Sequence, residues 1–144
     1  MTIIVDANLL IYAYNAAAPL HDTSREWLEG RLRSTARIGL PWQSLLAFLR
    51  ITTHPQLFPQ ATETSNARRQ VEVWLSSDAA WIPQPTEQHL AILSSFLDQP
   101  GIRGGLVHDA DLAALAVEHG LTLCSADRDF CRFPGLRWEN PLAG

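Results

Sequence analysis

The chain reads as an α/β protein with a mostly parallel central sheet covered on both faces by helices. Three observations predict this. Short apolar runs suited to buried strands, Ile3-Ile4-Val5 and Leu121-Thr122-Leu123-Cys124-Ser125, recur among longer stretches of helical periodicity. Strands that alternate with helices pair in parallel, because each crossover returns the chain to the same end of the sheet. Apolar residues make up 47% of the 144 residues, enough for the core of one domain spanning 1–144.

Residues 2–6 read as a buried strand, with a helix from Leu9 to Tyr14 directly after it. Thr23-Ser24-Arg25-Glu26 has the form of a capping box, which satisfies two orphan N–H groups and so predicts a helix to about Arg33. Arg37 to Leu40 is a second strand stopped by Pro41. The fixed φ of Pro41 then suits the first turn of a helix from Trp42 to Thr53, which His54-Pro55 ends. Residues 55–63 form a loop. Thr64 to Ser76 is amphipathic, with Val71, Trp74 and Leu75 on one face. Trp81-Ile82-Pro83 is a short strand, and Pro85-Thr86 introduces a helix to about Leu97. Pro100-Gly101 ends that helix, and Gly104-Gly105 gives a flexible loop. A further helix runs from Asp109 to His119, with Gly120 as its C-cap, and Leu136 to Trp138 is an edge strand.

Composition excludes several classes. No window approaches the ~18 apolar residues of a membrane helix, and no basic region precedes the first strand, so a cytoplasmic protein with no membrane partner is expected. Cys124 and Cys131 are read as two small, partly buried thiols. The histidines lack metal spacing, and neither a phosphate-cradling glycine loop nor a Gly-x-Ser-x-Gly nucleophile is present. The formal charge is -4, and all 11 basic side chains are arginine. Arginine suits bidentate phosphate recognition, although the same residues also serve as solvated helix faces.

The carboxylates carry the chemistry. Asp6 closes the first apolar run and Asp127 follows the last one. If the two runs are neighbouring parallel strands, both acids lie at the carboxyl edge of the sheet, where ligands bind. Asp109 shares a helical stripe with Leu112, Ala113, Ala116 and Val117 and so faces inward. Asp111 shares a mixed stripe with Ala114, Leu115, Glu118 and His119 and reads as a solvated flank. Two carboxylates about 4 Å apart repel by roughly 4 kcal/mol at an effective dielectric near 20, so such a cluster calls for a cation. Oxygen ligands suit Mg²⁺ or Mn²⁺. The pattern thus points to a metal-dependent hydrolase acting on a phosphate-bearing substrate. Asp6 reads equally as a helix N-cap, and Asn8 as a cap or a partner of the site. Asp127 lies nearer the strand tip than Asp129, which would hold Arg128 or Arg132 or meet the metal through water. Ser125 is placed to orient a water or a carboxylate.

Taken together, the segments Ile4-Val5-Asp6-Ala7-Asn8-Leu9-Leu10, Trp42 to Arg50, His108 to Ala116, Ser125 to Phe130 and Asn140-Pro141-Leu142 resemble a PIN-domain ribonuclease, in particular a VapC-type toxin of a bacterial type II toxin–antitoxin pair. The resemblance covers nearly the whole chain. It implies a three-layer α/β/α fold whose acidic residues bind Mg²⁺ or Mn²⁺ and cut single-stranded RNA, leaving a 5′-phosphate and a 3′-hydroxyl. Asp6, Asp109 and Asp127 fall on three of the family's acidic positions, with Asp129 as an accessory one. Ala47 stands where the family usually has Glu, either as an engineered inactivating change, the favoured reading, or as a natural variant with fewer ligands. Impaired cleavage is expected in both cases.

The resemblance further implies a homodimer, a VapB-type antitoxin that puts an arginine into the acidic cluster, and a transfer or ribosomal RNA loop as substrate. Arg50, Arg128 and Arg132 are candidate phosphate contacts. Trp42 is expected in the core or at an interface, with base stacking as the alternative. Leu57-Phe58 and Val71-Trp74-Leu75 serve either the core or a partner. Two other readings stay open: a non-catalytic PIN scaffold that binds RNA or protein, and a related nuclease acting on DNA flaps.

Overall fold

A computed structural model describes residues 1–143. Its centre is a five-stranded sheet of β1 (Ile3–Val5), β2 (Ile38–Gly39), β3 (Ala80–Trp81), β4 (Thr122–Cys124) and β5 (Trp138–Glu139). The spatial order is β3-β2-β1-β4-β5, and every pairing is parallel. Successive side chains of β1 point to opposite faces and feed two separate cores. Ile3 and Val5 pack with α1 (Ala7–Tyr14), α2 (His21–Leu32), α3 (Trp42–Thr52) and α4 (Thr64–Leu75). Ile4 packs on the other face with α5 (His89–Leu97), α6 (Gly105–Glu118), Leu123, Phe130 and Phe133. The result is the α/β/α layering expected from the chain.

Several boundaries differ from the sequence reading, each for a physical reason. The Thr23–Glu26 segment is not a capping box. α2 begins at His21, and its N-cap, Leu20, makes no side-chain cap bond. Ser24 lies inside the helix, fully buried, and its hydroxyl donates to the Leu9 carbonyl at 2.9 Å, joining α2 to α1. α1 starts at Ala7, two residues earlier than expected, because Asp6 accepts the Ala7 N–H. α6 starts at Gly105, so Gly104-Gly105 is a helix start rather than a flexible loop. Gly104 adopts φ 59, which glycine tolerates, and Asp109 therefore sits in the second turn. α5 starts at His89, three residues beyond Thr86, whose N–H is taken by Glu118. Residues 128–132 form a 3₁₀ turn, with Asp127 as its N-cap.

Phe58, Val71 and Trp74 are buried, whereas Leu57 is exposed, so these apolar groups divide mainly in favour of the core. Cys124 is buried, its thiol pushed up to about 12 by burial and then by the Glu139 charge, while Cys131 is exposed rather than partly buried. No helix among the described residues is long and apolar enough to cross a membrane.

Gly39 marks the tightest approach in the sheet. A Cβ there would lie 2.8 Å from Pro83 Cγ and 3.2 Å from the Ile3 carbonyl oxygen. Neither a proline ring nor strand backbone yields easily. Gly39→Ala is expected to lower stability by about 1–3 kcal/mol, read as an earlier urea midpoint, and an unchanged midpoint would refute this account of the packing.

Candidate active site

The strand order reverses between β2 and β4, with β1 at the centre, which opens a crevice at the carboxyl ends of β1 and β4. The register pairs Val5 with Cys124, so the residues that follow, Asp6 and Ser125, emerge side by side. Asp6 is both helix cap and site residue. Its Oδ1 accepts the Ala7 N–H at 2.8 Å, and its Oδ2 accepts the Ser125 hydroxyl at 2.7 Å. Ser125 is fully buried. Its Oγ also accepts from Asn8 Nδ2 at 3.2 Å and from the Asp127 N–H at 3.0 Å. Asn8 Oδ1 in turn accepts the Ala126 N–H at 3.4 Å. One hydroxyl thus orients two of the acids expected in the site and the asparagine between them.

Asp127 caps the 3₁₀ turn, accepting the Asp129 N–H at 2.9 Å. That turn swings Asp129 towards α6. Asp109, Asp127 and Asp129 each offer a carboxylate oxygen, and these oxygens all lie within 4.8 Å of one another. Asp6 stands outside this closest group, and Asp129, expected as an accessory, belongs to it. Asp6 is still close enough for its charge to act on Asp109. Burial first, then the charges of Asp6, Asp127 and Asp129, push the Asp109 carboxyl up to about 6. Burial also raises Asp6, an effect that its bonds to Ser125 and Ala7 oppose. The fold therefore holds negative charge together against its own preference. An all-oxygen donor set, partly desolvated and mutually repelling, fits a hard divalent cation such as Mg²⁺ or Mn²⁺.

The opposite wall belongs to α3. Gln43, Leu46, Ala47 and Arg50 face Asp6, Asp109 and Asp111 across a cleft of about 520 Å³. Two bonds seat this helix: the Ser44 hydroxyl donates to the Val5 carbonyl at 2.7 Å, and Gln43 Nε2 donates to the His108 carbonyl at 2.8 Å. Ala47 faces the cleft, while its neighbour Phe48 is buried edge-on between Tyr14 and Trp74. Trp42 is 46% exposed and so is no core residue. Arg132 pairs with the Asp129 carboxylate at 3.2 Å, and Arg128 is exposed on the same turn.

Asp111 is not a free solvated flank. It lines the cleft, and its Oδ1 meets His89 Nε2 at 2.7 Å. His89 Nδ1 bonds the Glu118 carboxylate, whose side chain is fully buried and also accepts the Thr86 N–H. Burial alone would lower the His89 pKa, but the bonds to Glu118 and then Asp111 outweigh it and raise it. His89 and Glu118 were missed by sequence reasoning. The available signal was that Asp111 and Glu118 share one stripe of the helix, an acidic pair in need of a cationic partner.

Two measurements follow from these charges. An Asp109 pKa raised above its unfolded value means that the ionised side chain destabilises the metal-free fold, and this cost appears as pH rises through about 6. In chelator at pH 7.5, Asp109→Asn is expected to melt about 2–4 °C above the parent, for roughly 1 kcal/mol after solvent screening. The gap should close towards pH 4. A variant melting at or below the parent throughout would contradict the repulsive cluster. For His89 the sign is opposite. A raised histidine pKa contributes stability below the ordinary value of 6.5 that is lost as pH climbs through the raised one. His89→Gln should therefore lower the melting temperature most near pH 6 and progressively less towards pH 9, and a constant gap would refute the ion-pair account.

Comparison with known proteins agrees with this geometry. Residues 3–136 match the PIN domain family. Ribonuclease VapC37 of Mycobacterium tuberculosis is 45% identical over 140 residues, which cover 97% of each chain. Ribonuclease VapC33 of the same species is 35% identical over 140 residues, covering 97% of this chain and 98% of its own. Among solved structures, a chain of VapBC2 from Rickettsia felis bound to a promoter DNA fragment superposes with a TM-score of 0.72 at 19% identity, over 97% of this chain and 98% of that one. Likeness at that identity speaks to the fold alone. With the family matched across most of its length and relatives this similar from end to end, the chain belongs to the PIN-domain family, among the VapC-type ribonucleases.

Proposed function

We propose that this protein is the toxin of a type II toxin–antitoxin pair and hydrolyses RNA phosphodiester bonds with Mg²⁺ or Mn²⁺. The observation that carries this reading is the meeting of Asp109, Asp127 and Asp129, with Asp6 beside them, at the reversal point of a parallel sheet. Asp109 and Asp127 would hold the ion directly, Asp6 from the position set by Ser125, and Asp129 at the edge of the cluster. When bound, such an ion would supply Lewis acidity towards the phosphate and activate water for the attack. The protein's own part is orientation and electrostatics. Ser125 keeps the Asp6 carboxylate turned towards the site and opposes the rise in its pKa that burial causes. The cleft between α3 and α6 admits a strand, and no side chain is required as a covalent nucleophile.

Ala47 is the weak point of the site. It occupies the α3 face that looks at Asp6 and Asp109, where the family's glutamate would add a further oxygen ligand. Cleavage by this chain is therefore slow, and metal is held through fewer ligands. A VapB-type antitoxin, a second copy of the chain and a cytoplasmic location complete the reading. The second reading, a non-catalytic scaffold, is favoured by Ala47 alone.

The test is Mn²⁺-dependent cleavage of an RNA mixture by the parent, Ala47→Glu and Asp109→Asn, with the new ends sequenced. Ala47→Glu is expected to gain roughly tenfold or more in rate, and Asp109→Asn to lose cleavage. Fresh 5′-phosphate ends should cluster in one RNA loop. Absence of metal-dependent cleavage even by Ala47→Glu would establish the scaffold, and cutting confined to branched DNA would establish a flap nuclease.

A further inference from the structure

Gln43 stands between two of the acids. It sits in the first turn of α3, where two side-chain bonds reach the residues directly before Asp109 and Asp6. Gln43 Nε2 donates at 2.8 Å to the carbonyl of His108, which precedes Asp109. The hydroxyl of the next residue, Ser44, donates at 2.7 Å to the carbonyl of Val5, which precedes Asp6. Gln43 lines the cleft together with both acids. Its bond to His108 fixes which way the amide points, because the reverse orientation would set two carbonyl oxygens face to face. Gln43 Oε1 is thereby left shielded from solvent and without a hydrogen-bond partner among the described residues. Arg50 and His108 line the same cleft, yet neither donates to it. Ala47, one turn further along that face of α3, has no side-chain oxygen.

We propose that Gln43 is a further ligand of the divalent ion, giving it a neutral oxygen from the α3 wall. This deepens the metal-dependent ribonuclease reading and rests on it. A buried acceptor without a donor forfeits its hydration and gains nothing in return. The group that completes it must bring a proton or positive charge to that spot. Ionised carboxylates only accept, so the neighbouring acids do not supply it, whereas a cation held by those acids does. Carbonyl oxygens suit Mg²⁺ and Mn²⁺. Such an ion approaches an oxygen to about 2.1 Å, against about 2.8 Å for a water donor, so it needs less room than a water molecule. An amide oxygen also carries no charge. It fills a coordination position without adding to the repulsion among the aspartates, and it holds the ion less firmly than a carboxylate at Ala47 would.

The experiment titrates Mn²⁺ into the metal-free full chain by calorimetry and counts the exchangeable waters left on the bound ion by water-proton relaxation. Gln43→Met keeps the length of the side chain but offers no hard oxygen. It should bind Mn²⁺ at least about tenfold more weakly and leave one more water on the ion. Gln43→Glu keeps an oxygen in the same place and adds charge. It should bind at least as tightly as the parent, with the parent's water count. Both variants lose the donor to His108, so a residue that served only as a strut between α3 and α6 would weaken binding equally in both, and that result overturns the proposal. A weaker Gln43→Met whose ion carries the parent's number of waters overturns it as well. Gln43→Met with the parent's affinity and water count overturns the proposal and leaves the metal-dependent reading standing, whereas a parent that binds no Mn²⁺ overturns both. Should circular dichroism show Gln43→Met unfolded, Gln43→Glu decides alone: affinity below the parent's overturns the proposal, and affinity at or above it with an unchanged water count supports it.

Discussion

Everything at the site depends on the pairing of β1 with β4. Val5 opposite Cys124 brings the two strand ends level, so that Asp6 and Ser125 meet although 119 residues separate them. A slip of one residue would turn the side chains of β1 over. Ile4 would leave the α5–α6 core, Ile3 and Val5 would leave the other, and Asp6 would lose its partner. The same register that satisfies two hydrophobic cores therefore also positions the carboxylate. Packing and chemistry are specified by one set of hydrogen bonds.

The Ser125 hydroxyl converts that register into a site. It is buried among polar groups and spends its capacity on Asp6, Asn8 and Asp127. These three lie on two different strand ends, so the hydroxyl resists both splaying of the strands and rotation of the acids. Around it the balance of forces is adverse. Asp109 is raised to about 6 chiefly by burial and by three neighbouring acids. A fold selected for stability alone would disperse those charges. Their retention at one point is what the proposed divalent cation would compensate.

α6 is held at both ends by different means. Near its start, the His108 carbonyl accepts Gln43 from α3, which sets the width of the cleft. Further along, His89 bridges Asp111 and Glu118 and ties α6 to α5. Asp109 lies between these anchors. The helix that carries Asp109 is thus clamped from both layers, which limits how far the repelling acids can relax apart. Ala47 shows the reverse situation on α3: a well-seated helix with a small side chain where the cleft has room for a larger ligand.

The parallel α/β architecture was legible in the chain, and so was the approach of Asp6, Asp109 and Asp127 to one end of the sheet, because both follow from local signals. Apolar runs mark buried strands, and an acid at the end of such a run serves as a helix cap or a site residue or, like Asp6, stands ready for both. Element ends were less legible where a tertiary bond outbid a local one. Ser24 reads as a cap but donates to Leu9, and Gly104-Gly105 reads as a loop but starts α6. The closeness of Asp129, the bond between Asp111 and His89 and the whole His89–Glu118 bridge were decided only in three dimensions. They depend on how a 3₁₀ turn is aimed and on which helix faces which, and neither is encoded by spacing along the sequence. Hydrophobic periodicity is a one-dimensional property and survives in the sequence. The mutual orientation of charged side chains is set by packing, and exists only once the layers have closed.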